Sequence, residues 1–442
     1  MLRSQGVLRD LIDLLRTPLG RQHLLRPIWR ALVPLRQLRA GLRRRTFARA
    51  VSITAVTGSF GKTTAATAAS VALGIPVSRR IAANSSGAVA RIIRTLPADQ
   101  ERAVIEVGIN RKGRMAKQAR VVLPDCVIVT AIGSEHLDTM GTLETVAREK
   151  ALLLRAMRPP GLAVLNADDP RVLAMAGSTG ARVITYGLNS GADVRASEIR
   201  IEWPGGTRFR LEALGEVREM RIRLLGPTMV RPVLAAIALA TGQGLGLDEV
   251  IDRLEGLDPV PGRLEPVRLP DGAWLLRDDC KSSVETIEAA LVVLAEAPGG
   301  KILVLNESPE WPDELEETYR ALARRLAELC DEVVLVGEGH ERLGRLALEA
   351  GLPPTSLHPV RGGVLEAIAT LRRILRPGDT ALLKGRLKHR LERVGLALRG
   401  ETVGCDLEEC WAVYRSSCSD CPMLVCGWGE RRVLPPNPWR GA

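Results

Sequence analysis

One octapeptide carries the densest chemistry in this 442-residue chain. Thr57-Gly58-Ser59-Phe60-Gly61-Lys62-Thr63-Thr64 follows an apolar run of strand length and precedes an Ala-rich run of helix length. The glycines let backbone N–H groups face phosphate oxygens, and the dipole of the following helix adds positive potential. Lys62 neutralises charge and the Thr63 hydroxyl reaches Mg²⁺, so Gly58, Ser59, Gly61, Lys62, Thr63 and Thr64 read as a phosphate-binding loop. The usual pattern opens on a glycine where this chain has Val56. A second concentration lies in the tail, where Cys405, Cys410, Cys418, Cys421 and Cys426 fall within 22 residues and Cys418-Ser419-Asp420-Cys421 forms a C-x-x-C pair. Cys405, Cys410, Cys418 and Cys421 are candidate ligands of a tetrahedral Zn²⁺, with an iron–sulfur cluster or free thiols as alternatives.

A phosphate loop needs a strand to aim it and a helix to polarise it. Apolar runs at 51–56, 103–107, 126–131 and 162–165 alternate with helix-length amphipathic stretches, which predicts a parallel sheet with helices on both faces. A second set starts near Trp274 and continues at 301–305, 332–336 and 380–383. Between the sets, 194–224 alternates apolar and charged residues (Ile199, Ile201, Phe209, Leu211) and predicts antiparallel hairpins. Pro259-Val260-Pro261-Gly262 marks the hinge. The expected fold class is α/β: a central P-loop parallel-sheet ATPase domain at 50–260, then a smaller Rossmann-like α/β domain at 261–400. An Arg-rich amphipathic arm (1–49) precedes them and a Cys-rich tail (401–442) follows.

Hydrophobic residues at 46% and charged residues at 26% supply ordinary cores and exclude a disordered chain. The net charge of +11 is local, since residues 1–50 hold twelve Arg and two Asp, a net of +10. Leucine steps broken by Pro18, Pro27 and Pro34 make short amphipathic helices of this arm. Such an arm docks on an anionic membrane surface or an acidic partner, or is a solvated face packed on its own protein. No uncharged run nears the ~18 residues of a membrane span, and no signal-peptide pattern follows Met1. The expected location is cytoplasmic, peripheral at the inner membrane surface. Nucleic acid is not an expected partner, because the arm has few aromatics to stack on bases.

The contracted loop T-G-x-x-G-K-T-T resembles that of the Mur ligases, folylpolyglutamate synthetases and cyanophycin synthetases. Val104-Ile105-Glu106-Val107-Gly108 resembles the Mur ligase strand that ends in a metal-binding Glu. Ser134-Glu135-His136-Leu137-Asp138 resembles its N-I-x-x-x-H-L-D segment, and Val164-Leu165-Asn166-Ala167-Asp168-Asp169-Pro170 its V-L-N-x-D-D-P. The order and spacing are similar to the D-alanyl-D-alanine-adding branch over residues 50–400. The resemblance implies Mg²⁺ held by Thr63, Glu106, His136 and Lys150, the lysine as an N-carbamate whose oxygens replace its charge. It implies ATP held by the loop, Asn166, Arg263, Asp279 and Lys281, with Arg263 (in Pro261-Gly262-Arg263-Leu264-Glu265) closing the site on phosphate. Asn84, Lys384 and Arg386 are the implied substrate-side residues, the last two in Leu383-Lys384-Gly385-Arg386 beside the amine. Lys62, Lys150, His136 and Arg263 form the catalytic set.

The chain departs from that pattern in three places. Only about 50 Arg-rich residues precede the loop, so the branch's N-terminal UDP-substrate domain is expected to be lacking. Thr228-Met229-Val230-Arg231-Pro232 puts proline where the adenine-side H-N-x-x-N has its second Asn, removing an amide and an N–H. Cys280 stands in place of Tyr. The expected activity is ATP-dependent amide-bond formation between a small-molecule or carrier-linked carboxylate and an amino compound through an acyl phosphate, on a cell-envelope or secondary-metabolite precursor. The alternatives are an amino-acid-polymerising or polyglutamylating ligase and a non-catalytic nucleotide-binding partner subunit.

Overall fold

Strands rich in Val, Ile and Ala and buried on both sides build the centre of the first domain. These are β1 (Ser52–Thr57), β2 (Arg102–Glu106), β3 (Cys126–Val129), β4 (Leu162–Asn166) and β5 (Arg182–Gly187). Every residue of β3 and β4 is buried, as befits parallel strands covered by helices on both faces. They lie parallel in the order β2-β1-β3-β4-β5. The computed structural model describes residues 31–77, 84–97, 99–135, 137–306, 316–410, 417–421 and 423–427, with no account of the side chains of 138 and 426.

The hairpins expected at 194–224 are β6 (Val194–Glu202), β7 (Gly206–Ala213) and β8 (Glu216–Ile222), which extend the same sheet to eight strands. β6 joins β5 through only two parallel pairs, then β6, β7 and β8 run antiparallel. The Ala-rich helix Lys62–Ala72 and the helix Pro227–Gly242 cover one face of the sheet, where Val56, Ile128 and Val164 meet Ala65, Ala69 and Leu234. The helices Ser86–Thr95, Arg114–Val122 and Leu143–Arg155 cover the other, over Ile53, Ile105, Val127 and Leu165.

The described end of the Arg-rich arm is packed. Helix Val33–Arg45 buries Ala40, and Arg44, 1% exposed, donates to the carbonyls of Val122, Val51 and Leu123 and pairs with Asp125 at 2.8 Å. Leu35, Leu38 and Leu42 of the same helix stay exposed, as does Phe47. Residues 1–30 of the expected arm lie outside the described residues. No helix among the described residues is long and apolar enough to cross a membrane.

The second domain holds β9 (Glu265–Arg268), β10 (Trp274–Asp278), β11 (Lys301–Asn306), β12 (Glu332–Val336), β13 (Leu357–Val360) and β14 (Thr380–Lys384). Their order is β13-β12-β11-β14-β10-β9, parallel except for β9. Helices pack on both faces, Val284–Ala295 on one and Gly363–Ile374 on the other. In both domains the site-bearing loops leave the C-terminal ends of parallel strands, where open α/β sheets place ligands.

Candidate active site

The phosphate loop turns at two glycines that accept no side chain. At Gly58, with φ of +149°, a Cβ would lie 1.9 Å from Thr130 Oγ1. Gly61, with φ of +78°, is the left-handed N-cap of helix Lys62–Ala72, so the helix opens directly onto the loop. Val56, in place of the usual first glycine, is still inside β1 and pairs with Glu106 and Ile128. The turn therefore begins only at Gly58.

Lys62 folds over the loop, donating to the Gly58 carbonyl at 2.8 Å and the Ser59 carbonyl at 2.9 Å, with Glu135 at 3.5 Å. Thr63 Oγ1 donates to Glu106 at 2.8 Å and Asn84 Nδ2 donates to the other Glu106 oxygen at 2.6 Å. Glu106 ends β2 and is 2% exposed. Hydroxyl and carboxylate oxygens beside a phosphate loop are the hard donors that Mg²⁺ takes, so this pair fits that ion. His136, the other neutral ligand implied by sequence, lies outside the described residues.

Lys150 comes from helix Leu143–Arg155 and is 4% exposed. Its ammonium nitrogen donates to Ser59 Oγ at 3.0 Å. Burial, and then the neighbouring Lys62 charge, hold it well below the usual lysine range, against the opposing pull of Glu135. A neutral amine is the form that adds CO₂. Asn166 ends β4 and donates to the Thr130 carbonyl at 2.7 Å. Asp168 accepts from the backbone N–H of Leu188 and Asn189 and pairs with Arg231 at 2.7 Å, while Asp169 accepts from Ile132 N at 2.7 Å. This Asn-x-Asp-Asp segment braces the β3 loop from behind. Arg231, in the segment that carries Pro232, supplies a cation there.

The second domain reaches into the same loop. Lys281 Nζ donates to the Ser59 carbonyl at 2.5 Å and pairs with Glu135 at 2.8 Å. Burial first, and Lys62 next, bring its pKa down to about 8. Arg263 Nη2 donates to Thr63 Oγ1 at 3.3 Å, and Glu285 accepts from Ser134 N at 3.2 Å. Asp279, 3% exposed, is held by Arg277 at 3.2 Å, and Arg277 also reaches Glu265 at 3.1 Å. Lys384, fully buried at the end of β14, pairs with Asp278, while Arg386 is exposed. The structure thus gathers Ser59, Lys62, Thr63, Asn84, Glu106, Lys150, Arg263 and Lys281 around one loop. Lys384 and Asp279 take Asp278 and Arg277 as their partners.

Glu135 and Glu285 were not singled out by sequence reading. Glu135 bridges Lys62 and Lys281 across the domains, and its only sequence signal is its place next to His136. Glu285 carries no motif.

In the tail, Cys405, Cys410, Cys418 and Cys421 line one cavity of about 20 Å³ with Arg390, Arg393 and Leu424. None forms a disulfide, and burial raises the Cys418 thiol to about 12. Among the described residues no group of three or more His, Cys, Asp or Glu is drawn into a coordination shell. The thiols share a cavity without closing on its centre.

Comparisons with known proteins agree with this geometry. The Mur ligase middle domain matches residues 56–240, and the Mur ligase glutamate ligase domain matches 262–387. The UDP-N-acetylmuramoyl-tripeptide–D-alanyl-D-alanine ligase of Escherichia coli is 30% identical over 309 residues, covering 68% of this chain and 67% of its own. The same-named enzyme of Mycobacterium tuberculosis is 29% identical, and the match spans 59% of its length. This chain therefore spans about three-fifths of the mycobacterial relatives that it matches. A crystal structure of MurF from Acinetobacter baumannii superposes with a TM-score of 0.73 at 25% identity, covering 84% of this chain and 81% of that one. An ADP-bound Mycobacterium tuberculosis folylpolyglutamate synthase shares the fold, with a TM-score of 0.65 at 21% identity, 89% of this chain and 99% of that one. Sequence match, two-domain architecture and a phosphate loop completed from both sides place the chain in the Mur ligase family.

Proposed function

We propose that the chain is an ATP-dependent ligase that joins a carboxylate to an amine. The observation that carries this reading is the convergence of Lys62, Lys281 and Arg263, drawn from two domains, on a loop that also presents the Thr63–Glu106 pair. A carboxylate oxygen attacks the γ-phosphorus of ATP, the bond to ADP breaks, and an acyl phosphate forms. The amine nitrogen then attacks the acyl carbon, phosphate leaves, and the nitrogen loses a proton. Lys62, Lys281 and Arg263 offset the charge on the transferring phosphoryl oxygens, which is where most of the barrier reduction arises. Mg²⁺, bound by Thr63, Glu106, His136 and a carbamylated Lys150, would neutralise further phosphate charge. Contacts between the domains at Ser134–Glu285 and Thr63–Arg263 shield the acyl phosphate from water.

The relatives' names, a muramoyl-tripeptide and D-alanyl-D-alanine, point to a peptide-bearing carboxylate and a small amino compound as the substrate classes. The folylpolyglutamate synthase fold keeps one alternative open, repeated addition of amino acids, which releases products of graded length. Two further features complete the reading. Exposed Leu35, Leu38, Leu42 and Phe47 beside the arginines of helix Val33–Arg45 lay this end of a cytoplasmic protein on an anionic membrane surface. The four tail thiols hold Zn²⁺.

The direct test incubates the purified chain with ATP, Mg²⁺, bicarbonate, hydroxylamine and pooled carboxylic acids. Hydroxylamine captures acyl phosphates as hydroxamates. A hydroxamate that requires ATP and disappears in Lys62→Ala is the expected result; nucleotide binding with no hydroxamate and no phosphate release across the pool would favour a nucleotide-binding partner subunit. Flotation with anionic vesicles tests the arm, and equal flotation after Leu38→Asp plus Leu42→Asp would refute the membrane reading.

A further inference from the structure

Among the described residues the cysteine cavity is a reactive cluster that the ligase chemistry leaves unused. A cavity of about 20 Å³ has room for one water-sized centre. Beside it sits Arg393, 1% exposed. Its donors go to the carbonyls of Cys405 at 2.7 Å, Leu407 at 2.6 Å, His389 at 2.9 Å and Arg390 at 3.1 Å, and to Cys405 Sγ at 3.4 Å. Among the described residues it has no carboxylate partner. A buried guanidinium without a counter-charge is costly. Four neutral thiols offer it one weak sulfur acceptor and no charge, whereas a tetrathiolate around a divalent ion carries a net charge of −2.

The same tail grips a segment bordering the active site. Cys410 N donates to the Lys388 carbonyl at 2.7 Å, and Lys388 pairs with Glu409 at 2.9 Å. Glu392 accepts from Cys418 N at 3.0 Å and from Ser417. Arg393 ties the carbonyls of Cys405 and Leu407 to that of His389. Residues 387–393 therefore hang from the cysteine segments on several sides. They follow β14 and Lys384 directly, and Leu387 N donates at 3.4 Å to the carbonyl of Cys280, next to Lys281.

We propose that Cys405, Cys410, Cys418 and Cys421 release four protons to bind one Zn²⁺, and that this metal cage is a brace setting the position of 387–393 beside the amine-side loop. This rests on the zinc reading of the tail and, for its catalytic consequence, on the ligase reading. Four thiols line one cavity, and the Arg393 guanidinium, 3.4 Å from Cys405 Sγ, would offset negative charge gathered there.

The experiment uses the full chain, purified without added metal. Zinc is measured by mass spectrometry, and backbone amide exchange is followed in wild type, Cys418→Ser, Cys421→Ser and the conservative Cys421→His. The expected result is about one zinc per chain in wild type and Cys421→His, as a closed four-ligand site requires. The serine variants should lose it, with amides of 387–393 exchanging about tenfold faster while those of 57–64 are unchanged. The hydroxylamine concentration for half-maximal hydroxamate should rise severalfold and that for ATP should not. If the serine variants do not fold, stripping zinc from folded wild type with a thiol reagent and a chelator gives the same comparison. A chain that carries no zinc and takes up neither Zn²⁺ nor Co²⁺ overturns the metal site. Bound zinc whose removal leaves exchange in 387–393 unchanged overturns the brace and leaves the metal site standing. Both readouts are independent of whether wild type forms hydroxamate at all, so failure of the ligase reading is seen separately.

Discussion

Two buried lysines, at the floor of the phosphate loop and at the end of β14, meet opposite surroundings. Lys150 is 4% exposed and touches the Ser59 hydroxyl, with Lys62 and Lys281 as its cationic neighbours. Lys384 is 0% exposed and sits against the Asp278 carboxylate. Burial depresses both, but at Lys384 the carboxylate restores part of what burial removes, while at Lys150 the neighbouring cations deepen the shift. Depth alone thus does not decide a buried lysine's role. The partner does, making one lysine half of a structural ion pair and weakening the other's hold on its proton.

Breaking the ion pair is the largest expected effect. Lys384→Met leaves Asp278 buried without its cation and should cost ~3–5 kcal/mol of stability, read from urea unfolding. Lys150→Met removes no counter-charge, so its unfolding midpoint should stay within ~1 kcal/mol of wild type, and equal losses in the two variants would erase the contrast. Lys62→Ala should lower the rate of hydroxamate formation by ~10²–10³-fold, the usual consequence of losing one charge-stabilising donor. Wild-type rates should rise on adding bicarbonate, and Lys150→Met should be slow and indifferent to it.

Lys281 sharpens the comparison through pH. Its folded pKa of about 8 lies below the ordinary 10.5, so the unfolded chain binds more protons between these values. Stability should therefore rise as pH increases from about 8 towards 10.5, by up to about 3 kcal/mol, and Lys281→Met should flatten the rise. Activity should move the other way, the ATP concentration for half-maximal rate increasing above pH 8 as Lys281 loses its charge. The smallest effect belongs to Glu285→Ala, whose hydrogen bonds to Ser134 are partly exposed. It should cost ~1 kcal/mol or less in nucleotide affinity, measured by calorimetry.

Much of the architecture was legible because periodicity is a local property. Runs such as 126–131 and 162–165 are too short and too apolar for anything but covered parallel strands, and the alternation at 194–224 matches a one-sided sheet; both appear as expected. β9 and β13 left no comparable signal: β9 is an edge strand of four residues containing Pro266, and β13 another of four containing Pro359. The phosphate loop was readable to the residue, since glycine, lysine and threonine at fixed offsets follow from what a phosphate requires. Asp279 shows the limit. The resemblance implied only that it holds ATP, and its ion pair with Arg277, two positions away, is decided by the fold.

The amino-acid order by itself determined the strand–loop–helix that cradles phosphate, the two α/β units, and the family, because each rests on residues close together in the chain. Tertiary structure alone decided which charges meet. Lys281 lies on Ser59 across 222 residues and Arg263 on Thr63 across 200, and only folding puts Lys150 among cations, Lys384 on Asp278, and four cysteines beside Arg393. Protonation and metal affinity depend on burial and on neighbours within a few ångströms, and those distances exist only once the chain has closed on itself.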